Sequence, residues 1–327
     1  MRIFRSLLAA ALAALALTAC STTPEAPTTG SSGGEGQFPV TIKTAFGDVT
    51  VPKQPQRVVA LGWSDAETAL ALGVQPVGAA DWLAVGKDGL GPWVTEKYTT
   101  APKMLGTQEI DLEALAALSP DLILDTKASG KEERQEQLAK LGVPVVGIPT
   151  GAEAYLTSWR DQLDMIGKAV GKTERAAQLK ADLEGKFKEA AEDHPKFKGA
   201  SVVVGVRNAD AYAAYIKGAG RVDFMTELGF TNSPAIEALK TTGFSVKVSA
   251  EQLTLLDANL TVMQAIGDTA AVVKADPLFQ AVPSVKAGRS VLLEDRQVSQ
   301  AFSSNSVPGL AWALDKTVPL FAAALDR

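Results

Sequence analysis

Aromatic and basic residues recur just beyond strand-like segments, where loops can present side chains to a bulky ligand. Trp63 follows the apolar run Arg57-Val58-Val59-Ala60-Leu61, and Trp82 follows a second strand-like segment, Val74 to Gly78. Trp93 lies in the Gly-containing loop 84–100. In the second half Arg207 ends the run Val202–Val206, Tyr212, Tyr215 and Arg221 come soon after, and Arg296 follows Val291–Leu293. In parallel sheets ligands sit at the carboxyl ends of strands, where such loops converge. Indole walls on one side of a cleft and guanidinium groups on the other suit a bulky, partly flat, anionic ligand, held by stacking and charge-assisted hydrogen bonds. Any one of these tryptophans taken singly is also compatible with core packing; the cleft is the expectation for the set.

Other chemistries lack their residues. His194 is the only histidine and Cys20 the only cysteine, so no multi-histidine or thiolate metal site is available. No G-x-S-x-G elbow is present, and His194 has no nucleophile motif beside it, so catalytic residues are not expected. Gly167-Lys168-Ala169-Val170-Gly171-Lys172-Thr173 resembles a phosphate loop superficially, but Ile166 stands where the spacing needs glycine, and a helix precedes it. Asn259-Leu260-Thr261 fits a glycosylation sequon but falls on a strand expected to be buried. No cofactor is expected.

Cys20 carries a different chemistry. Arg2 and Arg5 precede an apolar run from Leu7 to Leu17, too short to span a bilayer but suited to a secretory signal. Leu17-Thr18-Ala19-Cys20 matches the bacterial lipobox, which implies cleavage before Cys20 and a lipid on its thiol. Residues 1–19 read as a lipoprotein signal peptide, and 20–38 as the acylated cysteine with a flexible Ser/Thr/Pro/Gly-rich tether. Loss of Arg2 and Arg5 leaves 30 basic against 37 acidic residues, a net charge of −7 that argues against nucleic acid as a partner. The reading is an extracytoplasmic protein anchored on a Gram-positive surface or facing a periplasm.

The elements that must position these residues alternate between strand and helix from Arg57 onward. A helix from about Ser64, with Asp65 and Glu67 in its first turn, ends at Gly73. A helix near 111–118, strand Leu122–Leu124, helix near 131–141 and strand Val143–Ile148 follow. Residues 153–193 are charged and strand-free and read as two helices broken near Gly171. From Ala200 the α/β pattern resumes, with strands near 211–216, 260–264 and 290–294 and a last helix near 307–324. The expected architecture is α/β, with two lobes of mainly parallel sheet joined by a single long rigid helix. The N-terminal lobe is 39–157, the connecting helices are 158–195 and the C-terminal lobe is 196–327.

Residues 111–124 align without gaps on 249–262: each has an N-cap residue, an early Glu, leucines at helical spacing and then a strand. Glu113 and Glu251 occupy matching places. A first-turn Glu gains from the helix dipole in any case, but a matched pair suggests one acidic knob per lobe, able to meet two arginines of a dimeric permease.

Pro55-Gln56-Arg57-Val58-Val59-Ala60-Leu61, Glu67 and Ala71-Leu72-Gly73-Val74-Gln75-Pro76-Val77-Gly78 resemble the opening of the iron-siderophore and cobalamin substrate-binding proteins of ABC importers. Ile110–Leu115, Ser119–Ile123 and Val248–Leu253 are also similar to that family, and the resemblance runs from about Val40 to the C-terminus. It implies a class III binding-protein fold with two lobes bridged by one rigid helix, and a monomer. It further implies a ferric siderophore or similar iron chelate in the cleft, and docking on the importer's permease through Glu113 and Glu251. Asp257-Ala258-Asn259-Leu260 departs from the family's Pro-containing turn. Haem or a corrinoid is the alternative ligand. An exported α/β hydrolase, or a receptor that signals or adheres, is the alternative from another class.

Overall fold

The computed structural model describes residues 36–82, 88–107, 109–208, 211–239, 241, 243–267 and 270–327. Cys20, the signal sequence and most of the tether lie outside these residues. Among the described residues no helix is long and apolar enough to cross a membrane.

The N-terminal lobe opens with an antiparallel hairpin, β1 (Val40–Thr44) and β2 (Gly47–Val51), whose turn uses Gly47 at φ +103°. Then follow β3 (Val58–Ala60), α1 (Asp65–Ala71), β4 (Gly78–Ala79), β5 (Lys103–Met104), α2 (Leu112–Ala117), β6 (Leu122–Leu124), α3 (Glu132–Ala139) and β7 (Val145–Val146). The five strands from β3 to β7 form one parallel sheet in the order β5-β4-β3-β6-β7. The sheet is covered on both faces, so its strands are continuous apolar runs rather than alternating ones. Val59, Leu61, Ile123 and Val145 pack with Leu115 of α2 and Leu138 of α3, while Val58, Leu122, Leu124 and Val146 face the main core.

Two helices connect the lobes: α4 (Trp159–Ala169) and α5 (Thr173–Asp193). Ser158 caps α4 by accepting the Asp161 N–H. The chain turns between them at Gly171, at φ +70°, a conformation that side chains other than glycine's resist. α4 packs on α1 and β1.

The C-terminal lobe contains β8 (Ser201–Arg207), β9 (Tyr212–Tyr215), α6 (Gly220–Glu227), β10 (Thr231–Asn232), α7 (Pro234–Glu237) and β11 (Ser245–Val248). After a 3-10 turn (Ala250–Leu256) come β12 (Leu260–Ala265), α8 (Ala270–Ala275), α9 (Pro277–Gln280), α10 (Pro283–Lys286), β13 (Ser290–Leu293), α11 (Arg296–Ser303) and α12 (Val307–Leu325). α5 packs on α6 and α12. The sheet runs β11-β9-β8-β12-β13, with β10 on β8; β8, β10, β12 and β13 are mutually parallel, and β9 is antiparallel to both its neighbours, β8 and β11. Val202, Val204 and Val206 of β8 face the main core and Val203 faces the opposite cluster, the period-2 alternation of a strand. Of the sequon, Leu260 and Thr261 are buried on β12, but Asn259 precedes that strand and is exposed, its side-chain oxygen accepting from the Ser201 N–H and hydroxyl at 2.9 Å.

Candidate ligand-binding site

β3 ends at Ala60, and the chain turns through Leu61 and Gly62 to Trp63, whose backbone N–H donates to the Lys127 carbonyl at 2.9 Å. Trp63 lies between Trp82 (centroids 4.8 Å apart, planes 10° apart) and Tyr155 (4.2 Å, 27°). From the other lobe Phe244 meets Trp63 (6.2 Å, 67°) and Tyr155 (6.2 Å, 86°), both edge-on. Tyr215 stacks on Phe244 at 6.2 Å, and the Arg221 guanidinium lies 4.5 Å from the Tyr215 ring. Arg221 Nε also donates to Gln264 Oε1 at 2.7 Å. The amide of Gln264 is fixed in turn by Ser299 and Ser303 of α11. The Trp63 indole N–H has no hydrogen-bond partner among the described residues. The result is an aromatic seam between the lobes with one cation on its C-terminal side.

Trp63, Trp82, Tyr215 and Arg221 are thus brought together. The other sequence candidates are placed elsewhere. Trp93 is 4% exposed in the core; its indole N–H donates to both Glu67 carboxylate oxygens at 3.0 Å, and its ring meets Trp312 of α12. Tyr212 and Tyr215 are three residues apart on one strand, so they point to opposite faces of the sheet. Tyr212 is 6% exposed, donates its hydroxyl to Asp276 at 2.9 Å and stacks on Phe279. Arg207, at the end of β8, lies over the Tyr212 ring at 5.0 Å, on that same face. Arg296 opens α11 and is exposed. His194 is half-buried and stacks on Phe197. A groove of about 290 Å3 between α5 and α12, lined by Lys186, Glu189, Asp193, His194 and Asp315, shares no residue with the seam.

Tyr155 and Phe244 are the aromatic partners that sequence reasoning missed. Phe244 precedes a strand rather than following one, so a rule based on strand carboxyl ends passes over it. Tyr155 follows Gly151 in a charged stretch and takes φ +60°, an uncommon conformation for a non-glycine residue.

Beneath the seam is a buried polar network. Asp65 and Glu67 have the positions of dipole-complementing residues, but both are enclosed. The Asp65 carboxylate accepts from the Gly62 N–H (2.9 Å), the Thr126 N–H (3.1 Å), Gln162 Nε2 of α4 (2.6 Å) and the Thr126 hydroxyl. Burial nevertheless pushes it up to about 6, against the lowering effect of these donors. Glu67 accepts from Trp93, from the Gly91 N–H and from the Ser306 hydroxyl of the segment leading into α12, and burial raises it too. The Ser64 hydroxyl donates to the Ser304 carbonyl, and Asn305 Nδ2 to Gln162 Oε1 at 3.2 Å. Lys127 is 5% exposed and donates to the Thr157 carbonyl at 2.6 Å.

Glu113 is exposed in the first turn of α2, whose N-cap Asp111 accepts the Ala114 N–H at 2.9 Å. Glu251 is exposed too, but its segment is a 3-10 turn rather than the α-helix of its counterpart. Its carboxyl is held below the usual range by its own backbone N–H and by Ser249. Among the described residues no group of His, Cys, Asp and Glu is arranged to hold a metal ion.

Residues 58–296 match the family described as periplasmic binding protein. The chain belongs to that family. The matched span begins at the first residue of β3 and ends at the first of α11, so it contains every residue of the seam. This periplasmic binding protein is 28% identical over 283 residues to the Fe(3+)-citrate-binding protein YfmC of Bacillus subtilis (strain 168), 85% of each chain. It is 29% identical over 210 residues to the Fe(3+) dicitrate-binding periplasmic protein FecB of Escherichia coli (strain K12), covering 62% of this chain and 64% of that one. Among solved structures, a periplasmic solute binding protein from Mycobacterium smegmatis str. MC2 155 superposes with a TM-score of 0.76 at 28% identity, covering 88% of this chain and 99% of that one. PiaA of Streptococcus pneumoniae TIGR4 in complex with ferrichrome gives 0.76 at 23% identity with the same coverage, a likeness of fold.

Proposed function

We propose that this chain is the receptor of an ABC importer, binding a ferric siderophore or related iron chelate between its lobes and presenting it to the permease. The observation that carries this reading is the seam itself. Rings from both lobes meet at Trp63, Tyr155 and Phe244, with Arg221 beside them, and an indole N–H there is left without an acceptor among the described residues. Such a surface stacks on the organic shell of a chelate and hydrogen-bonds to its oxygens. The chelator supplies the iron ligands, so the protein needs no metal-binding residues of its own and performs no turnover. YfmC and FecB, named for ferric citrate, support an iron chelate as the cargo. Glu113 and Glu251 are the docking carboxylates in this reading. Lipid on Cys20 holds the receptor, as a monomer, at the outer face of the cell membrane.

The test is tryptophan fluorescence of the exported chain, titrated with ferric citrate, ferric hydroxamates, ferric catecholates, haem and cobalamin. Saturable quenching by a ferric chelate, with no response to its iron-free form, is expected. Quenching by haem or cobalamin alone would replace the cargo, and no response to any of them would remove the reading.

A further inference from the structure

The Lys127 side chain is held where the lobes meet. It follows β6 in the N-terminal lobe, and its own backbone carbonyl accepts the N–H of Trp63. Across the interface is Gly220, the first residue of α6; a Cβ there would sit 3.9 Å from Lys127 Nζ and 2.9 Å from Asn305 Oδ1. Gly220 does not have a positive φ, so the glycine serves close approach and not backbone conformation. The next residue, Arg221, carries the guanidinium of the seam.

For a buried ammonium, Lys127 is poorly provided for. It has three donors. Among the described residues its hydrogen bond is to the neutral Thr157 carbonyl, and no carboxylate forms an ion pair with it within 4.0 Å. The charged groups facing it are Asp223 and Arg221 on α6 and Asp65 on α1. Asp65 is already engaged by Thr126, Gly62 and Gln162, and Asp223 accepts the Gly218 N–H at 3.2 Å. Two cations, one from each lobe, therefore face a common region, and among the described residues neither forms an ion pair within 4.0 Å, although Asp223 and Asp65 lie near Lys127. Burial brings Lys127 down to about 7, with Arg221 adding to the effect and Asp223 opposing it.

We propose that Lys127 is a further ligand-binding residue, an ammonium that pairs with a carboxylate on the iron chelate while Arg221 approaches the same anionic group from the other lobe. This rests on the reading of the chain as an iron-chelate receptor and narrows the cargo to carboxylate-bearing chelates. An anion between the two cations relieves their repulsion and draws the lobes together. It also stabilises the protonated form of Lys127, so binding takes up a proton wherever the free side chain is neutral.

The probes are ferric citrate, an anionic carboxylate chelate, and a neutral ferric trihydroxamate. The exported chain is expected to bind ferric citrate, with affinity rising about tenfold as pH falls from 8 to 6 and most of the change between 8 and 7. Lys127→Met is expected to lower that affinity about 30-fold, the scale of one charged hydrogen bond, and to abolish the pH dependence. Binding of the trihydroxamate but not of ferric citrate overturns the assignment while leaving the receptor reading in place. So does a pH-independent affinity of the unmutated chain, which decides the matter even if Lys127→Met fails to fold. A folded K127M chain that keeps its affinity or its pH dependence overturns the assignment as well. Binding of neither chelate, nor of any other iron chelate, removes the receptor reading and this assignment together.

Discussion

Replacing Trp93 with Phe separates the two roles a tryptophan can have in this chain. The Trp93 indole N–H donates to a Glu67 carboxylate that is buried and bound also by the Gly91 N–H and the Ser306 hydroxyl. Phe keeps a ring in the core but removes one donor from a buried carboxylate, a loss of about 1.5–3 kcal/mol for a hydrogen bond to a charged group. The smaller ring also leaves unfilled space against Trp312, adding about 1 kcal/mol. The Trp93→Phe variant is therefore expected to lose roughly 2–4 kcal/mol of stability. Because Trp93 shares no ring contact with the seam, chelate affinity is expected to stay within about twofold, a difference under 0.5 kcal/mol. Urea denaturation gives the first quantity and fluorescence titration the second. A variant of unchanged stability that bound chelate ten times more weakly would refute the placement of Trp93 in the core.

Phe244→Ala removes the C-terminal lobe's ring against Trp63 and Tyr155, each pair contributing about 0.5–1.5 kcal/mol. A drop in chelate affinity of about 10- to 100-fold is expected by titration; unchanged affinity would put the ligand elsewhere. Arg221→Ala is expected to weaken binding of an anionic chelate by about tenfold or more, and Arg207→Ala by much less, since Arg207 lies on the opposite sheet face with Tyr212. Equal losses in the two variants would refute that division. Asp65 has a folded-state value near 6 against 3.8, so the stability it contributes is complete below about 4 and is lost as pH rises through 6. Asp65→Asn should flatten the stability profile between pH 4 and 6 by about 2–3 kcal/mol, read from urea midpoints; an unaltered slope would refute the shift. Glu113→Arg with Glu251→Arg is expected to leave chelate affinity intact and abolish uptake in cells; normal uptake would refute the docking assignment.

The alternation of elements was readable where strands are short apolar runs, as at Val58–Ala60, Leu122–Leu124 and Ser201–Arg207, and helices carry an acidic first turn, as at Asp65–Ala71. The short helices α7, α9 and α10 were not readable: each has four residues and starts at a proline, a pattern shared with ordinary turns. In the seam, Trp63 and Trp82 follow their strands closely, so chain position was enough to bring them together there. Tyr212 and Tyr215 show the limit of that rule, because proximity in sequence took precedence over the two-residue period that puts them on opposite faces. Asp65 and Glu67 looked like residues serving the helix dipole. Nothing local in the sequence reveals that Gln162 and Ser306 close over them, since those contacts span 97 and 239 residues.

That separation bears on the order in which the chain acquires its structure. Glu67 belongs to the first helix after the hairpin, yet one of its hydrogen-bond donors, Ser306, comes only 21 residues before the C-terminal Arg327. The Ser64 hydroxyl likewise meets a carbonyl 240 residues downstream. Until that last segment is available, a complete N-terminal lobe would enclose the Glu67 carboxylate with one of its donors missing, a costly state in a low-dielectric interior. Contacts of such long sequence separation form late and slowly. For the exported receptor proposed above this delay is useful, because premature folding would obstruct passage through a membrane channel. The polar cluster thereby ties completion of the N-terminal lobe to the arrival of the segment that carries Ser304 and Ser306.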